Sequence, residues 1–151
     1  MTGAALRETI GFLGVVASLI FVGTEIHQNS LSVQAATYQD LTAHIASLNL
    51  MEIENPEFGD FARAALQYPG PLSEVEVDRM TPYLWLLFRY ADLAFSQYER
   101  GLLSEDRLRS ATMPLSARLA MPWIQERWTA FHRQAFVPSF QTFVDSIIAS
   151  Q

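Results

Sequence analysis

The chain contains no cysteine. That excludes disulfides, thiolate metal sites and a cysteine nucleophile, and it leaves the compartment open, because cysteine-free chains occur in every compartment. Lysine is absent too: all ten basic residues are arginine, set against sixteen acidic ones for a net charge of −6. Binding a phosphate backbone needs clustered positive charge, so nucleic acid is not an expected partner. Proline does not occur in residues 1–55, and no charged residue lies between Thr9 and Thr24. The first absence removes helix breakers and the second removes any solvated face. No stretch alternates in the manner of a β-strand, and there is no repeat or low-complexity segment.

What is present is consistent with one domain of ordinary size. The chain has 151 residues, half of them hydrophobic, which is enough to build a core. The charge-free run "IGFLGVVASLIFVG", Ile10 to Gly23, raises the main question. The window from Thr9 to Thr24 covers roughly 24 Å as a helix, and Ala4 to Ile26 covers roughly 34 Å, against a hydrocarbon core of about 30 Å. Helical side chains tilt toward the N-terminus, so Arg7 can reach outward from the bilayer while Glu25 sits at the opposite interface. A surface helix of a soluble domain would carry a polar stripe, and here only Thr9, Ser18 and Thr24 are polar. The expectation is a single-pass transmembrane helix. Two other readings of the run are a helix buried in a core or an oligomer, and a signal peptide. For the latter, the nearest small-x-small site, Val33-Gln34-Ala35, lies well past the apolar run.

Gly11, Gly14 and Ser18 fall on one face of this helix, and Gly14-x-x-x-Ser18 is a small-xxx-small pattern of the kind that lets backbones approach closely in lipid. That face is the candidate helix-packing interface. Arg7 precedes the span, and the next arginine is Arg63. The positive-inside rule therefore leans toward a cytoplasmic N-terminus and a domain on the periplasmic side of a bacterial inner membrane.

Helix is expected to continue past the span, since Leu31, Tyr38, Leu41, Ile45 and Leu48 recur at helical spacing through residues 30–53. Asn55-Pro56-Glu57 reads as an N-cap, a proline at the first helical position and an acid in the first turn. Tyr68-Pro69-Gly70-Pro71 is a turn. Ser73 to Glu76 is a capping box opening a helix that runs to Gly101. Its face of Leu84, Leu87, Ala91, Phe95 and Tyr98 makes it the expected central helix, kinked or split at Pro82. Ser104 caps a further helix interrupted at Pro114. Pro122 opens another, with Ile124, Trp128 and Phe131 on one face, and Pro138 opens the last, carrying Phe140, Phe143, Val144 and Ile147. The expected fold is all-α: a transmembrane anchor over residues 1–28, then a compact domain of about five or six helices over residues 29–151.

The order of these features resembles a group of small bacterial single-span proteins with no assigned activity. The likeness rests on the span around "GVVASLIFVG", Gln28-Asn29, Thr37-Tyr38-Gln39, Phe88-Arg89, Gln97-Tyr98, Gly101-Leu102-Leu103, a tryptophan-bearing helix and the terminal run Phe140 to Asp145. It covers nearly the whole chain through short motifs. Members of that group carry arginine just after the span, which would place the domain in the cytoplasm; here His27 stands in that place. The resemblance implies no catalytic residue.

Chemistry-bearing residues are few. His27, His44 and His132 have no mutual spacing that puts two ligands on one helix face, and there is no Glu-x-x-His, so no metal site and no di-iron bundle is expected. Asp40 and His44 share a face as an ion pair or a metal half-site. His132, near Trp128, Phe131 and Phe136, is either a packed histidine or a ligand for a haem or chlorin. Asp92, one turn after Arg89, is either half of a structural pair or a general base in a pocket. Glu52, Glu54, Glu57 and Asp60 form an acidic corner without calcium-loop spacing. Nucleophile elbows and phosphate-cradling loops are absent. Catalytic residues and cofactors are therefore not expected. The favoured function is a membrane-anchored interaction protein, a non-catalytic accessory subunit that contacts lipid and other transmembrane helices. The alternative is a tethered domain binding a small ligand or pigment, or an enzyme, through Arg89, Asp92 and His132.

Overall fold

The computed structural model describes residues 3–67 and 72–151. The fold is all-α, with six α-helices and no strand among the described residues: α1 (Gly3–Glu54), α2 (Pro56–Gln67), α3 (Glu74–Glu99), α4 (Glu105–Leu119), α5 (Pro122–Arg127) and α6 (Pro138–Ala149). A π-helical turn (Trp128–His132) and a 3-10 turn (Arg133–Ala135) lie between α5 and α6. The chain divides into two units, Met1–Ala36 and Thr37–Gln151. The proline-rich turn at 68–71 lies outside the described residues.

The first unit is helix throughout its described length, as the lack of proline and of capping signals before Asn55 dictates. Most of its large apolar side chains are exposed. Ile10, Phe12, Leu13, Val15, Leu19, Ile20, Phe21, Val22 and Ile26 are all between 51% and 68% exposed. The helix is long and apolar enough to cross a membrane. Its hydroxyls turn inward to their own backbone: Ser18 donates to the Gly14 carbonyl at 2.9 Å, Thr24 to Phe21 at 2.7 Å and Ser30 to Ile26 at 3.0 Å.

The second unit is built around α3. Asn55 caps α2, its Oδ1 accepting from the Phe58 amide at 3.1 Å. At the start of α3 the Ser73–Glu76 box is complete. The Glu76 amide donates to Ser73 Oγ, and the Ser73 amide donates back to Glu76 Oε2 at 2.8 Å. The Ser73 hydroxyl and amide together hold the Glu76 carboxyl below its ordinary range. At the other end Gly101 adopts φ +73°, the left-handed conformation that ends a helix without a Cβ penalty. Pro82 does not split α3, and Pro114 does not interrupt α4. Each proline costs one backbone bond, which burial on both sides offsets: Met80, Tyr83 and Leu84 flank the first, and Ala111, Thr112 and Leu115 the second. Thr81 also donates its hydroxyl to the Val77 carbonyl at 3.0 Å.

α3 contributes Met80, Leu84, Leu87, Phe88 and Ala91 to a core that gathers Ala62 and Leu66 of α2, Leu115 and Leu119 of α4, Ile124 of α5, and Phe140 and Val144 of α6. A second cluster joins Leu41 of α1 to Tyr90, Ala94, Leu103, Leu108 and Ala111. Fully burying a side chain such as Leu84 or Phe88 contributes about 1.5–3 kcal/mol, so α3, which supplies more buried core residues than any other helix, contributes the largest single share of the packing energy. Trp128 stacks on Phe88 with ring centroids 4.8 Å apart and meets Phe140 edge-on.

Phe131 does not share the buried face with Ile124 and Trp128; it is exposed. The cause is the π-turn, in which the Arg133 amide donates to the Trp128 carbonyl five residues back. Each residue then rotates the chain by less than in an α-helix. Four residues after Trp128, not three, return to the core, and His132 takes the buried place.

Candidate functional site

The residues on which chemistry could rest meet around Trp85, half-way along α3. Arg89 lies one turn further on, its guanidinium 4.4 Å from the centroid of Phe136 and 5.6 Å from that of Trp85. It donates to the Ala135 carbonyl at 3.4 Å and faces Asp92 at 3.6 Å. α3 and the turn before α6 are thus tied by one arginine. The Asp92 side chain is 26% exposed. Burial pushes its carboxyl above the ordinary range, the Arg89 charge pulls it back, and Glu99 adds to the rise. The pair is geometrically a helix-surface contact at one-turn spacing.

His132 lies on the other side of Trp85. Its ring meets the indole edge-on at 4.6 Å, tilts against Phe88 at 5.2 Å and contacts Phe131 at 5.3 Å. The residue has no solvent exposure, and neither ring nitrogen has a hydrogen-bond partner among the described residues. Burial, aided by the Arg127 charge, pushes its pKa down to about 4, so the ring is neutral at pH 7.

The structure therefore brings Arg89, Asp92 and His132 into one neighbourhood, but aromatic rings fill it. The hollow nearest Arg89 has a volume of about 290 Å³ and is lined by His44, Ser47, Leu86, Arg89, Tyr90 and Leu93; neither Asp92 nor His132 reaches it. Burial raises the Tyr90 phenol above its ordinary pKa, with Tyr38 adding to the rise. Asp40 and His44 form an exposed pair at 4.0 Å. Among the described residues no group of three or more His, Asp or Glu side chains could hold a metal ion. Two members of the acidic corner are engaged by arginines, Glu57 with Arg79 at 3.0 Å and Asp60 with Arg63 at 2.9 Å.

On α1, Gly11, Gly14 and Ser18 stand exposed along one side. A Cβ built on Gly11 or Gly14 would meet nothing within 4 Å, so no contact inside the chain demands glycine there.

One network was not anticipated from sequence. Asp145 of α6 accepts from the Trp128 indole at 2.9 Å and from Arg133 through both Nε (3.1 Å) and an Nη (2.9 Å). Arg133 and the indole hold the carboxyl below its ordinary range against the opposing effect of burial. No local spacing announces this contact, because its partners lie 12 and 17 residues apart and meet only when α6 folds back. Comparison with protein-family models, with curated proteins and with solved structures finds no match to this chain.

Proposed function

We propose that the chain is a membrane-anchored helical interaction protein, a non-catalytic accessory subunit of a larger complex in a bacterial inner membrane. One observation carries the reading: from Ile10 to Ile26 the helix leaves nine large apolar side chains more than half exposed, with no charged residue between Thr9 and Thr24. Such a surface is stable in hydrocarbon and costly in water. The inward-turned hydroxyls of Ser18 and Thr24 support it, since in lipid a polar group must be satisfied within the helix. The open flank of Gly11, Gly14 and Ser18 is the proposed contact for a neighbouring transmembrane helix. Arg7 on one side, with no arginine until Arg63 on the other, favours a periplasmic domain. The likeness to small bacterial single-span proteins belongs to the same proposal.

The test is a mild-detergent affinity purification of the full chain from native membranes, followed by the same purification with Gly14→Leu. Recovery with a stoichiometric membrane partner that the variant loses supports the reading. A protein found in the soluble fraction overturns it. A partner equally retained by the variant removes the Gly14 face from the interface.

A tethered ligand-binding domain is the competing proposal. It has one observation in its favour, the 290 Å³ hollow in which Arg89 and His44 stand beside the Tyr90 phenol. Unchanged small-molecule retention in Arg89→Gln and Tyr90→Phe variants would count against it.

A further inference from the structure

His132 is the one histidine of the chain that is shut away from solvent, and its surroundings hold no acceptor for a proton. The rings of Trp85, Phe88 and Phe131 enclose it, and both nitrogens lack partners among the described residues. A buried polar group left unpaired costs roughly 1–3 kcal/mol, so an aromatic or aliphatic side chain would pack there at less cost. The backbone at this point is also unusual: the π-turn Trp128–His132 passes directly into the 3-10 turn Arg133–Ala135, two geometries weaker than the α-helix.

We propose that His132 is an acid-sensitive latch: while neutral, it holds the Trp128–Ala135 turn against the aromatic face of α3, and protonation releases that turn. The charged groups on the elements packed about it agree with this. Arg127 on its own segment opposes an imidazolium, and the neighbouring charges Arg133, next in sequence, and Arg89, over the Trp85 ring, are positive too. The carboxylates within reach of those arginines are already engaged, Asp78 by Arg127, Asp92 by Arg89 and Asp145 by Arg133. A protonated ring therefore finds repulsion and no partner until it swings into water. Moving it out removes the edge-on contact with Trp85 and breaks the Arg89 bond to the Ala135 carbonyl, exposing the face of α3 on which Phe136 stacks against Trp85.

The sign and window follow from linkage. The closed ring takes a proton near pH 4, whereas an opened ring does so near the ordinary 6.5. Above pH 6.5 the latch is unaffected. Below it the open form gains protons first, and at pH 5 the opening equilibrium rises by about 20-fold over its value at pH 7. Asp145 does not drive the opening, because its carboxyl is held below the ordinary range and stays ionised through this window. The latch is independent of the membrane reading and holds whether or not α1 enters lipid.

The test uses the full chain in a mild detergent. Near-ultraviolet circular dichroism and tryptophan fluorescence are followed from pH 7.5 to 3.5, and the His132 imidazole is followed by nitrogen NMR, its signal assigned by its loss in His132→Gln. The expected result is a loss of aromatic signal that begins below about pH 6 while far-ultraviolet helicity persists. It should be absent in His132→Phe and in His132→Gln, and unmoved in His44→Gln. Overlapping acid profiles for the parent and whichever of the two position-132 variants folds overturn the proposal. So does an imidazole that titrates near 6.5 with no change in the tryptophan signals.

Discussion

Replacing Trp128 by Phe tests how the second unit is closed at its C-terminal end. The indole is fully buried, stacks on Phe88 and donates to Asp145 at 2.9 Å. Phenylalanine keeps the stack and loses two things. The first is volume: a void of roughly 40 Å³ at about 24 cal/mol per Å³ costs about 1 kcal/mol. The second is a hydrogen bond to a carboxylate, normally about 1.5–3 kcal/mol. Asp145 is 43% exposed in its side chain, so water takes over part of that bond and about 1 kcal/mol is the better figure. The expected loss is about 2 kcal/mol, read from urea unfolding of the full chain in one detergent and monitored by far-ultraviolet circular dichroism. A double-mutant cycle with Asp145→Asn isolates the bond, with an expected coupling of about 1 kcal/mol. The pH dependence gives a second check. Asp145 is depressed in the folded state, so its contribution is present above the ordinary carboxylate pKa and is lost as pH falls through the lowered value. Without the indole that depression shrinks, and the acid limb of the stability curve moves to higher pH. A Trp128→Phe protein within 0.5 kcal/mol of the parent, or strictly additive with Asp145→Asn, would refute the reasoning.

Three further outcomes are expected. Ser73→Ala removes the hydroxyl that caps α3 and its two bonds to Glu76, leaving only the backbone amide bond, and should lower stability by about 1 kcal/mol in the same unfolding assay. Gly101→Ala places a Cβ at φ +73° with nothing within 4 Å to clash, so the cost is conformational strain alone, about 1 kcal/mol, seen as a lower melting temperature with unchanged helicity. Asp92→Asn should leave stability at pH 7 unchanged or slightly higher. A carboxyl whose pKa is raised on folding favours the fold only below its ordinary pKa, and it loses that contribution as pH rises through the raised value. A drop of more than about 1 kcal/mol at pH 7 would mean instead that the Arg89 pair holds α3 in place.

The helical pieces of this protein are written locally, and so they were legible. Asn55, Ser73, Ser104, Pro122 and Pro138 each open the helix that their chemistry calls for, and Gly101 closes α3. The centrality of α3 followed from its apolar periodicity. What failed were inferences about interruption and facing. Pro82 was expected to kink or split α3 and Pro114 to interrupt α4, yet α3 is not split and α4 is not interrupted. Phe131 was expected inside, yet the π-turn put it outside. The candidate site shows the same division. Arg89 and Asp92 meet as their one-turn spacing implies, while the enclosure of His132 by Trp85 and Phe88 depends on a contact across nearly fifty residues.

By itself, the sequence determined the helical class, the caps, the absence of thiol chemistry and the presence of a charge-free apolar helix. All of these depend on residues within a few turns of one another. Tertiary structure decided which histidine lies in the core, that Asp145 joins Trp128 to Arg133, and that Asp92 and His132 lie outside the hollow beside Arg89. The reason is that hydrogen-bond partners and burial at those positions are supplied by other helices, and no local spacing encodes which helix arrives.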